Sequence, residues 1–531
     1  MRKLFFTITM MFVSALLSAQ ITYYVDENGN NDNDGLSAST PLQTLKKAEG
    51  LINANNTSAE YVIMITGTVT DASAQSAFKF NSDYDVTLTI KGESAATSIV
   101  QKADDETWLS KVEAKQNIGR FFNMPQNAGT GSLTVIFEDL TFQNFGHNAA
   151  NGGQFMNALL DCDIIIRRCN FRNGVARAGV LFQTNANQRV VNLTMEDCYV
   201  DNMLAFNNGG ILQSPIIVRG YSTGVFKNCV FTNCGLDPRS RDGNENGQYT
   251  QFGSVLTFDP AIGVLEDIDL PHLVTGEVTN CTFLNNGYIP TISKDSAYTA
   301  VIAEVEDTLS LSVVSVLVDS AEAVNLSFNN NLIIGNHRDA SNTVDVKAIV
   351  DPNGTLTSTS FTHNIMNSVA YFDASTCDTS AAYTYFSPEI MVDATDDTTL
   401  VVSTTSTGVY YVKASGTNVK AGADGSTTTP TDITGATRVN PSVGAYEVIE
   451  STGLNELNAL SFELYPNPAS GLVRLSGIEG IVDVEVYNQF GQRILSTSSS
   501  ELDISSVNSG LYFVSVRNSE GQRGMQTLII R

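Results

Sequence analysis

The stretch Arg168-Cys169-Asn170-Phe171-Arg172-Asn173 carries a six-residue phrase that recurs through the middle of the chain. The phrase consists of a polar residue, a small residue, a spacer, a large apolar residue, a second spacer and Asn. Intervals between the small residues range from 29 (198 − 169) to 52 (281 − 229) residues. A fixed phrase separated by loops of variable length is typical of a repeat protein. The other copies, of which the last two are looser, are Asp139-Leu140-Thr141-Phe142-Gln143-Asn144, Asp197-Cys198-Tyr199-Val200-Asp201-Asn202, Asn228-Cys229-Val230-Phe231-Thr232-Asn233, Asn280-Cys281-Thr282-Phe283-Leu284-Asn285, Asn330-Asn331-Leu332-Ile333 and His363-Asn364-Ile365-Met366.

Strand alternation predicts which residues of the phrase face inward. Cys169 and Phe171 would lie on one face of a strand, and Asn170 and Arg172 on the other. One phrase alone cannot bury its apolar face. Copies stacked at a strand spacing of about 4.8 Å would form continuous columns of Cys, Phe and Asn. The sequence therefore predicts an all-β protein built as a parallel β-helix.

Length and charge limit the classes of partner. The 531 residues exceed one compact domain and leave room for a solenoid and an accessory module. Only 16% of the residues are charged, and the net charge is −26. This charge argues against nucleic acid or an anionic membrane as partner. A polyanionic polysaccharide would need a local basic patch or bound Ca²⁺ to bridge like charges.

The first 19 residues have the layout of a secretory signal peptide. Arg2 and Lys3 precede an apolar run over residues 4–17, and Ser18-Ala19-Gln20 suits cleavage after Ala19. The next apolar run, residues 301–318, contains three carboxylates, so we expect no transmembrane segment in the mature chain. The sequence therefore predicts an exported, soluble protein.

Export permits disulfides, and the chain has seven cysteines. Cys169, Cys198, Cys229 and Cys281 occupy the same position of the phrase, which predicts a column of packed thiols. The parallel Cα–Cβ vectors of such a column suit a disulfide poorly. Metal binding is less favoured, because no CxxC motif or Cys/His pair occurs.

The N-terminal residues predict how the solenoid begins. Tyr23-Tyr24-Val25-Asp26 forms a short strand, and the Asn/Asp-rich residues 28–35 form a solvated turn, with Ca²⁺ binding as the alternative. Thr40 and Pro41 predict the start of an amphipathic helix that covers the open end of the solenoid. Its apolar stripe would be Leu42, Leu45, Ala48, Leu51 and Ile52.

These residues also carry a resemblance to a known family. Asp34-Gly35-Leu36-Ser37, Pro41 and Leu45-Lys46-Lys47-Ala48 resemble the N-terminal segment of secreted right-handed β-helix proteins of the pectin-lyase-like superfamily in Bacteroidetes. Residues 432–438 and Gly444-Ala445-Tyr446-Glu447 are similar to their closing segment, with Ser442 where those proteins usually have Asp. The resemblance implies a right-handed parallel β-helix. We expect Arg438 to fix the last turn through an ion pair with Asp432 or Glu447.

A second resemblance covers residues 457–531. Tyr465-Pro466-Asn467-Pro468, Gly510-Leu511-Tyr512 and the terminal Arg531 are similar to the C-terminal sorting domain of the type IX secretion system, a small antiparallel β-sandwich. The resemblance implies contact with the type IX machinery and a secreted or outer-membrane cell-surface location. We therefore predict a signal peptide at 1–19, a β-helix at 20–449, a linker at 450–459 and a sorting domain at 460–531.

The third strand of each coil would open at Gly153, Gly179, Gly210 and Gly253. In polysaccharide lyases of this fold, a row of charged side chains projects outward from that sheet. The residues expected to project here are neutral, which counts against a lyase of the best-known kind. They are Gln154, Met156, Val180, Phe182, Ile211, Gln213, Ser254 and Leu256.

A long loop after Asn233 contains the best candidates for chemistry, because binding residues gather on long loops of rigid scaffolds. Proton abstraction beside a uronate carboxylate needs a cation to neutralise that group and a base near it. Arg239 and Arg241 are the candidate catalytic residues. The alternative is a self-paired surface loop. The candidate substrate-binding residues of this loop are Asp237, Asp242, Glu245 and Tyr249.

Further candidates follow other copies of the phrase on the same side. His147 and His337 would act as acid or base if they reached a substrate hydroxyl, although isolated loop histidines are commonly solvated bystanders. Arg177 and Arg338 would contact substrate.

Two hypotheses of different classes stand at this point. One is a secreted polysaccharide lyase or glycoside hydrolase. A hydrolase would need two facing carboxylates, for which Asp259, Glu304 and Asp351 are candidates. Glu138-Asp139 and Glu196-Asp197 instead recur as turn formers. The other hypothesis is a non-catalytic adhesin or glycan-binding protein.

Overall fold

Contacts divide the chain into two compact units, Met1–Val448 and Ile449–Arg531, and each is described on its own. The computed structural model describes residues 20–55, 59–71, 78–79, 85–113, 116, 118–124, 132–146, 154–158, 161–176, 180–184, 190–206, 214–237, 253–260, 272–284, 286–287, 312–318, 322–334, 336, 344–350, 355–366, 369–373, 390–391, 400–404, 410–414, 428–438, 443–446, 462–477, 481–488, 493–519 and 523–531.

The described part of the first unit is formed almost entirely of short strands. In chain order its elements are β1 (Gln20–Asp26), α1 (Leu45–Asn55), β2 (Ala59–Thr66), β3 (Thr68–Thr70), β4 (Phe78–Lys79), β5 (Val86–Gly92), β6 (Ile99–Gln101), α2 (Asp105–Glu113), β7 (Phe122–Met124), β8 (Leu133–Glu138), β9 (Thr141–Gly146), β10 (Met156–Ala158), β11 (Cys162–Arg167), β12 (Asn170–Ala176), β13 (Phe182–Thr184), β14 (Val191–Glu196), β15 (Tyr199–Phe206), β16 (Ile216–Arg219), β17 (Thr223–Lys227), β18 (Val230–Thr232), β19 (Gly235–Asp237), β20 (Gly253–Asp259), β21 (His272–Thr279), β22 (Thr282–Leu284), β23 (Ser312–Val318), β24 (Glu322–Asn329), β25 (Leu332–Ile334), β26 (Val344–Val350), β27 (Thr355–Thr362), β28 (Ile365–Met366), β29 (Val369–Asp373), β30 (Ile390–Met391), β31 (Leu400–Thr404) and β32 (Tyr410–Ala414).

Three parallel sheets run along the first unit. Sheet A has the order β1-β2-β5-β8-β11-β14-β17-β21-β24-β27, and sheet C has the order β29-β26-β23-β20-β16-β13-β10-β7-β4. Sheet B has the order β3-β6-β9-β12-β15-β18-β22-β25-β28-β30, with β19 beside β15, while β31 and β32 form a separate antiparallel pair. Each coil contributes one strand to each sheet in turn. The predicted parallel β-helix is therefore confirmed.

Left-handed backbone conformations bound the phrase at both ends. Asp139, Arg168 and Asp197 stand at the corner between sheets A and B with φ of 57°, 52° and 56°. Asn144 and Asn173 stand at the second corner with φ of 59° and 57°. Asn and Asp tolerate this conformation better than other residues with a Cβ. The two polar ends of the phrase therefore recur along the chain because the backbone turns there. The turn role predicted for Asp139 and Asp197 is confirmed, whereas Glu138 and Glu196 are the last residues of strands β8 and β14.

The large apolar residue of the phrase forms an uninterrupted interior column. Phe142, Phe171, Val200, Phe231 and Phe283 are in register from coil to coil and are at most 1% exposed. The Phe231 and Phe283 rings stack at 5.0 Å between centroids. Burial of one such side chain stabilises the fold by about 1.5–3 kcal/mol. This column is as the sequence predicts.

The small residue of the phrase forms a second interior column, whose side chains change from cysteine to asparagine along the solenoid. The thiols of Cys169, Cys198, Cys229 and Cys281 are buried and free. Each thiol donates to the carbonyl two residues earlier, at 3.4 Å for Cys169 and 3.2 Å for Cys198. Below Cys281 the column continues as asparagine, with Asn331 accepting from the Cys281 amide at 2.9 Å. The predicted thiol column is confirmed, and it passes into an interior asparagine ladder.

A third interior column follows the second corner and repeats this change. It consists of Phe145, Gly174, Met203, Cys234, Asn286 and Asn336. Gly174 is required here, because a Cβ would lie 2.5 Å from Met203 Sδ and 2.7 Å from Phe145 Cζ. The asparagine side chains again bond backbone groups of neighbouring coils, so that no buried polar atom of the ladder lacks a partner.

The structure corrects the prediction for the third strand of the coil. Met156, Phe182 and Leu256, expected to project outward, are at most 2% exposed and belong to the core. Val180 is also fully buried. These strands begin later than predicted, at Met156 and Phe182, and their apolar residues complete the core from the third side. Four of the eight residues expected to project outward therefore face inward, while Gln154 is partly exposed and Ile211 and Gln213 lie outside the described residues.

The N-terminal helix begins four residues later than predicted. Helix α1 starts at Leu45, and the Thr44 hydroxyl accepts from the Lys47 amide at 3.2 Å. Pro41 and Leu42 stay extended, because Leu42 bonds the free edge of β1 at Tyr24 and Asp26. Leu42 and Leu45 are buried as predicted, and the chain covers part of the sheet A edge before the helix starts.

Residues 428–438 and 443–446, named here the strap, lie along the outside of sheet B. The segment was predicted to close the last turn. The strap instead contacts the coils of Tyr199, Asn228, Asn280 and Asn330 in succession. Arg438, 8% exposed, donates to the Gly444 and Ala445 carbonyls at 2.8 and 3.1 Å and to Asn228 at 3.2 Å. Its role is structural, as predicted, but it fixes the strap to coils far from the end.

The second unit contains two antiparallel sheets over one small core. Its strands are β33 (Glu463–Tyr465), β34 (Leu472–Ser476), β35 (Ile481–Asn488), β36 (Arg493–Thr497), β37 (Glu501–Asp503), β38 (Gly510–Asn518) and β39 (Arg523–Ile530). The orders are β33-β34-β37 and β36-β35-β38-β39. Asn467 bonds the outer edge of β39 twice, through the Thr527 carbonyl at 2.6 Å and the Ile529 amide at 2.9 Å. The Tyr-Pro-Asn-Pro motif therefore pins the last strand.

Candidate functional site

The loop residues predicted to carry chemistry fall almost entirely beyond the described part of the chain. Asp237 is the exception, and its backbone ends β19, which pairs with the far end of β15 at Phe206. The long loop therefore leaves the solenoid beside sheet B. The other candidates stay predictions: Arg239, Arg241, His147, His337, Arg177, Tyr249, Asp242, Glu245 and Arg338 lie outside the described residues.

Of the carboxylates considered for a hydrolase, Asp259 has a described environment. It is 3% exposed, and Arg219 contacts its Oδ2 through Nη2 at 2.7 Å and through Nε at 2.8 Å. A buried, ion-paired carboxylate is not available to a sugar in a groove. Glu304 and Asp351 lie outside the described residues.

A column of alternating charge runs along the outside of sheet A, next to the first corner. Arg167 lies between Glu138 and Glu196, at 3.5 and 3.1 Å. On the corner itself, Arg168 binds Asp139 through two nitrogens at 2.7 and 2.9 Å. Hydrogen bonding to Asp139 raises the Arg168 pKa. Both arginines therefore form ion pairs with carboxylates of neighbouring coils, and their role is structural.

A buried Lys102 replaces the corner asparagine in an early coil. Its Nζ pairs with Asp71 at 2.7 Å and lies 5.4 Å from the centre of the Phe121 ring. Burial lowers the Lys102 pKa, and Asp71 opposes that shift. The side chain is fully buried, so no substrate reaches it. This pair holds two coils together at the place where asparagines do so later.

The outer face of sheet B is covered over most of the described coils. Thr141 is bonded to the Ala95 carbonyl and is 4% exposed. Val230, Thr282 and Leu332, at the same position of later coils, are at most 2% exposed beneath or beside the strap. Helix α2 covers the same strands beyond the second corner, where it packs on the apolar side chains Val175 and Leu204.

Between these covers, four side chains of two adjacent coils reach the surface. We name Asn170, Arg172, Tyr199 and Asp201 the sheet B patch, and all four are partly exposed. Register places Asn170 beside Tyr199 and Arg172 beside Asp201. The patch is therefore a two-by-two grid on a rigid sheet, with an amide, a guanidinium, a phenol ring and a carboxylate.

Contacts with neighbouring coils orient three of the four side chains. Asn170 Nδ2 donates to the Thr141 hydroxyl at 3.2 Å. Asp201 Oδ1 accepts from Thr232 at 2.9 Å and from Asn233 at 2.7 Å, both on the following coil. The Tyr199 hydroxyl bonds the hydroxyl of Tyr446 in the strap. The sequence placed Arg172 on the outward face, but it gave no sign that this coil is the uncovered one.

The described residues offer no evident metal centre. In this part of the chain no group of three or more His, Cys, Asp or Glu side chains is arranged to hold a metal ion. In the Asn/Asp-rich turn, Asn31 Oδ1 accepts from the Gln43 and Thr44 amides, which is a structural use of its oxygen. The alternative of Ca²⁺ binding stays a prediction.

Comparison with known proteins identifies the second unit. Residues 463–531 match the family described as the secretion system C-terminal sorting domain. No curated protein matches the chain. Among the described helices, neither has the length and apolar character needed to cross a membrane. The match covers the β-sandwich and its Asn467 motif. The second unit is therefore a type IX sorting domain, which contacts the type IX machinery. It directs the protein, including the β-helix, to the cell surface or the medium.

Proposed function

We propose that the β-helix binds a polysaccharide or another glycan outside the cell, after export through the sorting domain. The sheet B patch carries this proposal. Glycans are recognised by rigid polar groups that bond hydroxyls and by aromatic rings that pack on sugar faces. Tyr199, Arg172 and Asn170 supply these groups on two stacked strands, which fix their spacing without any rearrangement on binding.

A second candidate is catalysis, as a polysaccharide lyase or a glycoside hydrolase. The observation that favours it is the origin of the long loop, which leaves sheet B at Asp237, on the strand next to the one that carries Tyr199 and Asp201. Arg239 and Arg241 would then neutralise a uronate carboxylate or abstract a proton, and Asp242 and Glu245 would contact substrate or hold Ca²⁺. His147 and His337 would act as acid or base, and Arg177, Arg338 and Tyr249 would contact the same substrate.

Purified mature protein tests both candidates on one panel of uronate-containing and neutral polysaccharides, with and without Ca²⁺. Binding is followed by affinity electrophoresis, and turnover by unsaturated uronate products or new reducing ends. Binding without product supports the glycan-binding protein. Product formation that falls in Arg239→Ala and Arg241→Ala supports the enzyme, and product formation unchanged in both variants shows that the loop is not the site. No binding and no product with any polysaccharide would remove both candidates.

A further inference from the structure

We propose that the Lys102 amine and the Asp71 carboxyl group condense to an amide that covalently joins two adjacent coils of the β-helix. The modification is intramolecular, needs no cofactor or second reactant, and goes beyond the proposed binding of glycans. The two residues are 31 positions apart in the chain, and their side chains are in contact at the second corner. Their position, their distance and the burial of the amine carry the inference.

The backbone holds the two side chains one above the other. Strands β3 and β6 pair in register up to their last residues, so Asp71 and Lys102, which follow directly, take equivalent positions of adjacent coils. In later coils Asn144 and Asn173 take this position, and Asn173 donates to Asn144 at 2.9 Å. The corner column therefore places side chains of successive coils in contact before any reaction.

The distance between the reacting groups is short. Lys102 Nζ lies 2.7 Å from Asp71 Oδ2. Cγ, the carbon that the amine would attack, is one covalent bond beyond that oxygen. Reactants held in contact with suitable orientation behave as if one were present at up to about 10⁵–10⁸ M. Such proximity favours a condensation that free amines and carboxylates in water do not complete.

The surroundings of Lys102 favour an uncharged amine. The side chain is fully buried, and Nζ lies 5.4 Å from the centre of the Phe121 ring. That ring packs on Phe142 and Phe145 at 5.6 and 5.7 Å between centroids, within an aromatic part of the core. Burial lowers the Lys102 pKa, and Asp71 opposes this shift. A buried ion pair loses the hydration of both charges, whereas a neutral amide does not carry this cost.

Two other lysine ion pairs in the described part of the chain leave the amine in water. Lys227 is 33% exposed where it contacts Glu277 at 3.0 Å, and Lys46 is 59% exposed beside Glu49. A hydrated ammonium has no free electron pair with which to attack a carboxyl group. The Lys227–Glu277 pair also joins adjacent coils, so it is an internal control for contact without burial.

The condensation is balanced within the pair. A proton passes from the Lys102 ammonium to the Asp71 carboxylate, and the neutral amine attacks Cγ. The Nζ–Cγ bond forms, one Cγ–O bond breaks, and the oxygen leaves as water with two protons of the former ammonium. The amide nitrogen keeps the third proton, and nothing is oxidised or reduced. The Asp71 side chain is 18% exposed, which gives the water a path to solvent.

Peptide mass spectrometry of the purified, folded protein tests the inference. Trypsin is expected to release residues 48–79 joined to residues 92–111, uncut after Lys102, at the sum of the two masses less one water. Lys102→Arg is the matched variant, because its guanidinium keeps the charge beside Asp71 but is a poor nucleophile. It is expected to give the two segments unlinked. Peptides that contain Lys227 and Glu277 are expected to be unlinked in both proteins.

The other outcomes count against the inference. If the parent protein gives residues 48–79 and 92–102 only as separate peptides of unmodified mass, the amide does not form, and this measurement needs no variant to fold. A linked mass that persists in Lys102→Arg would overturn the assignment to this lysine. A linked peptide pair that contains Lys227 and Glu277 would overturn the argument that burial of the amine selects the site.

Discussion

Replacing Asn331 by alanine is expected to open the solenoid locally at the point where the thiol column becomes an asparagine ladder. Asn331 is fully buried. Its Oδ1 accepts from the Cys281 amide at 2.9 Å, and its Nδ2 donates to the Val278 carbonyl at 2.9 Å and to Asn364 Oδ1 at 3.0 Å. Alanine removes all three bonds and leaves the backbone groups of Cys281 and Val278 buried without these partners.

The magnitude follows from those two backbone groups. A buried polar group deprived of its partner costs about 1–3 kcal/mol. Asn364 Oδ1 still accepts from the backbone amide of residue 331 at 3.0 Å, so its lost bond adds little to the destabilisation. The sum is about 2–6 kcal/mol, which corresponds to an increase of roughly 30-fold to on the order of 10⁴-fold in the local opening constant. In a repeat array the loss is concentrated near the altered coil.

Hydrogen exchange measured by mass spectrometry on the purified protein resolves this locality. Peptides that contain residues 278–283 are expected to lose protection, while peptides from β8 and β11 keep it. Asn192→Ala is the matched control, because Asn192 is exposed and makes one bond, to Asp163 at 2.8 Å. Its effect is expected to stay below about 0.5 kcal/mol. Equal exchange at residues 278–283 in the Asn331 variant and the parent would refute the view that the ladder holds the coils together.

Three further outcomes are expected. Burial raises the pKa of Asp197, so the folded state holds that proton to higher pH than the unfolded chain, and its ionisation costs stability as pH rises through the folded pKa. Asp197→Asn should therefore be more stable than the parent near neutral pH in chemical unfolding, with the gain vanishing below the pKa of the unfolded chain; a gain that persists in acid would contradict this. Asn467→Ala loses two hydrogen bonds to the edge of β39. It should lower the free energy of local opening of residues 523–530 by about 1–2 kcal/mol, seen as faster hydrogen exchange, whereas no change would show that the motif does not pin the strand. Burial raises the pKa of the column thiols Cys169, Cys198 and Cys229, so their alkylation at neutral pH should require unfolding, and rapid labelling of any of these three in the native protein would contradict the packed column.

Most of the β-helix was predictable because one short phrase encodes both its corners and its interior. Alternation identified Cys169 and Phe171 as inward, and recurrence identified their columns. The third strand was misplaced because its copies share no phrase, so the only guide was a glycine whose distance from the strand varies. Apolar residues such as Met156 could then lie on the inward or the outward face of the strand, and in the structure they lie in the core. Periodicity decides a strand face only when its register is already known.

The site was less predictable, because exposure on the outside of a solenoid depends on segments far away in sequence. Tyr199 is held by Tyr446, which is 247 positions later. Thr141 is covered by a loop 46 positions earlier. No local pattern reports such contacts, so the sequence points to residues in loops rather than to residues on the sheet.

One signal of the covering was nevertheless present in the first spacer of the phrase. Along the chain this outward position is Thr141, Asn170, Tyr199, Val230, Thr282 and Leu332. An outward spacer gains nothing from being apolar in water, but it gains about 25 cal/mol per Å² of apolar surface when another segment lies over it. The apolar spacers Val230 and Leu332 agree with their cover by the strap, whereas the covered Thr282 instead accepts a hydrogen bond from the Ala445 amide of the strap. A polar spacer alone does not mark an open coil, because Thr141 and Thr282 are also covered, and only the structure separates them from Asn170 and Tyr199.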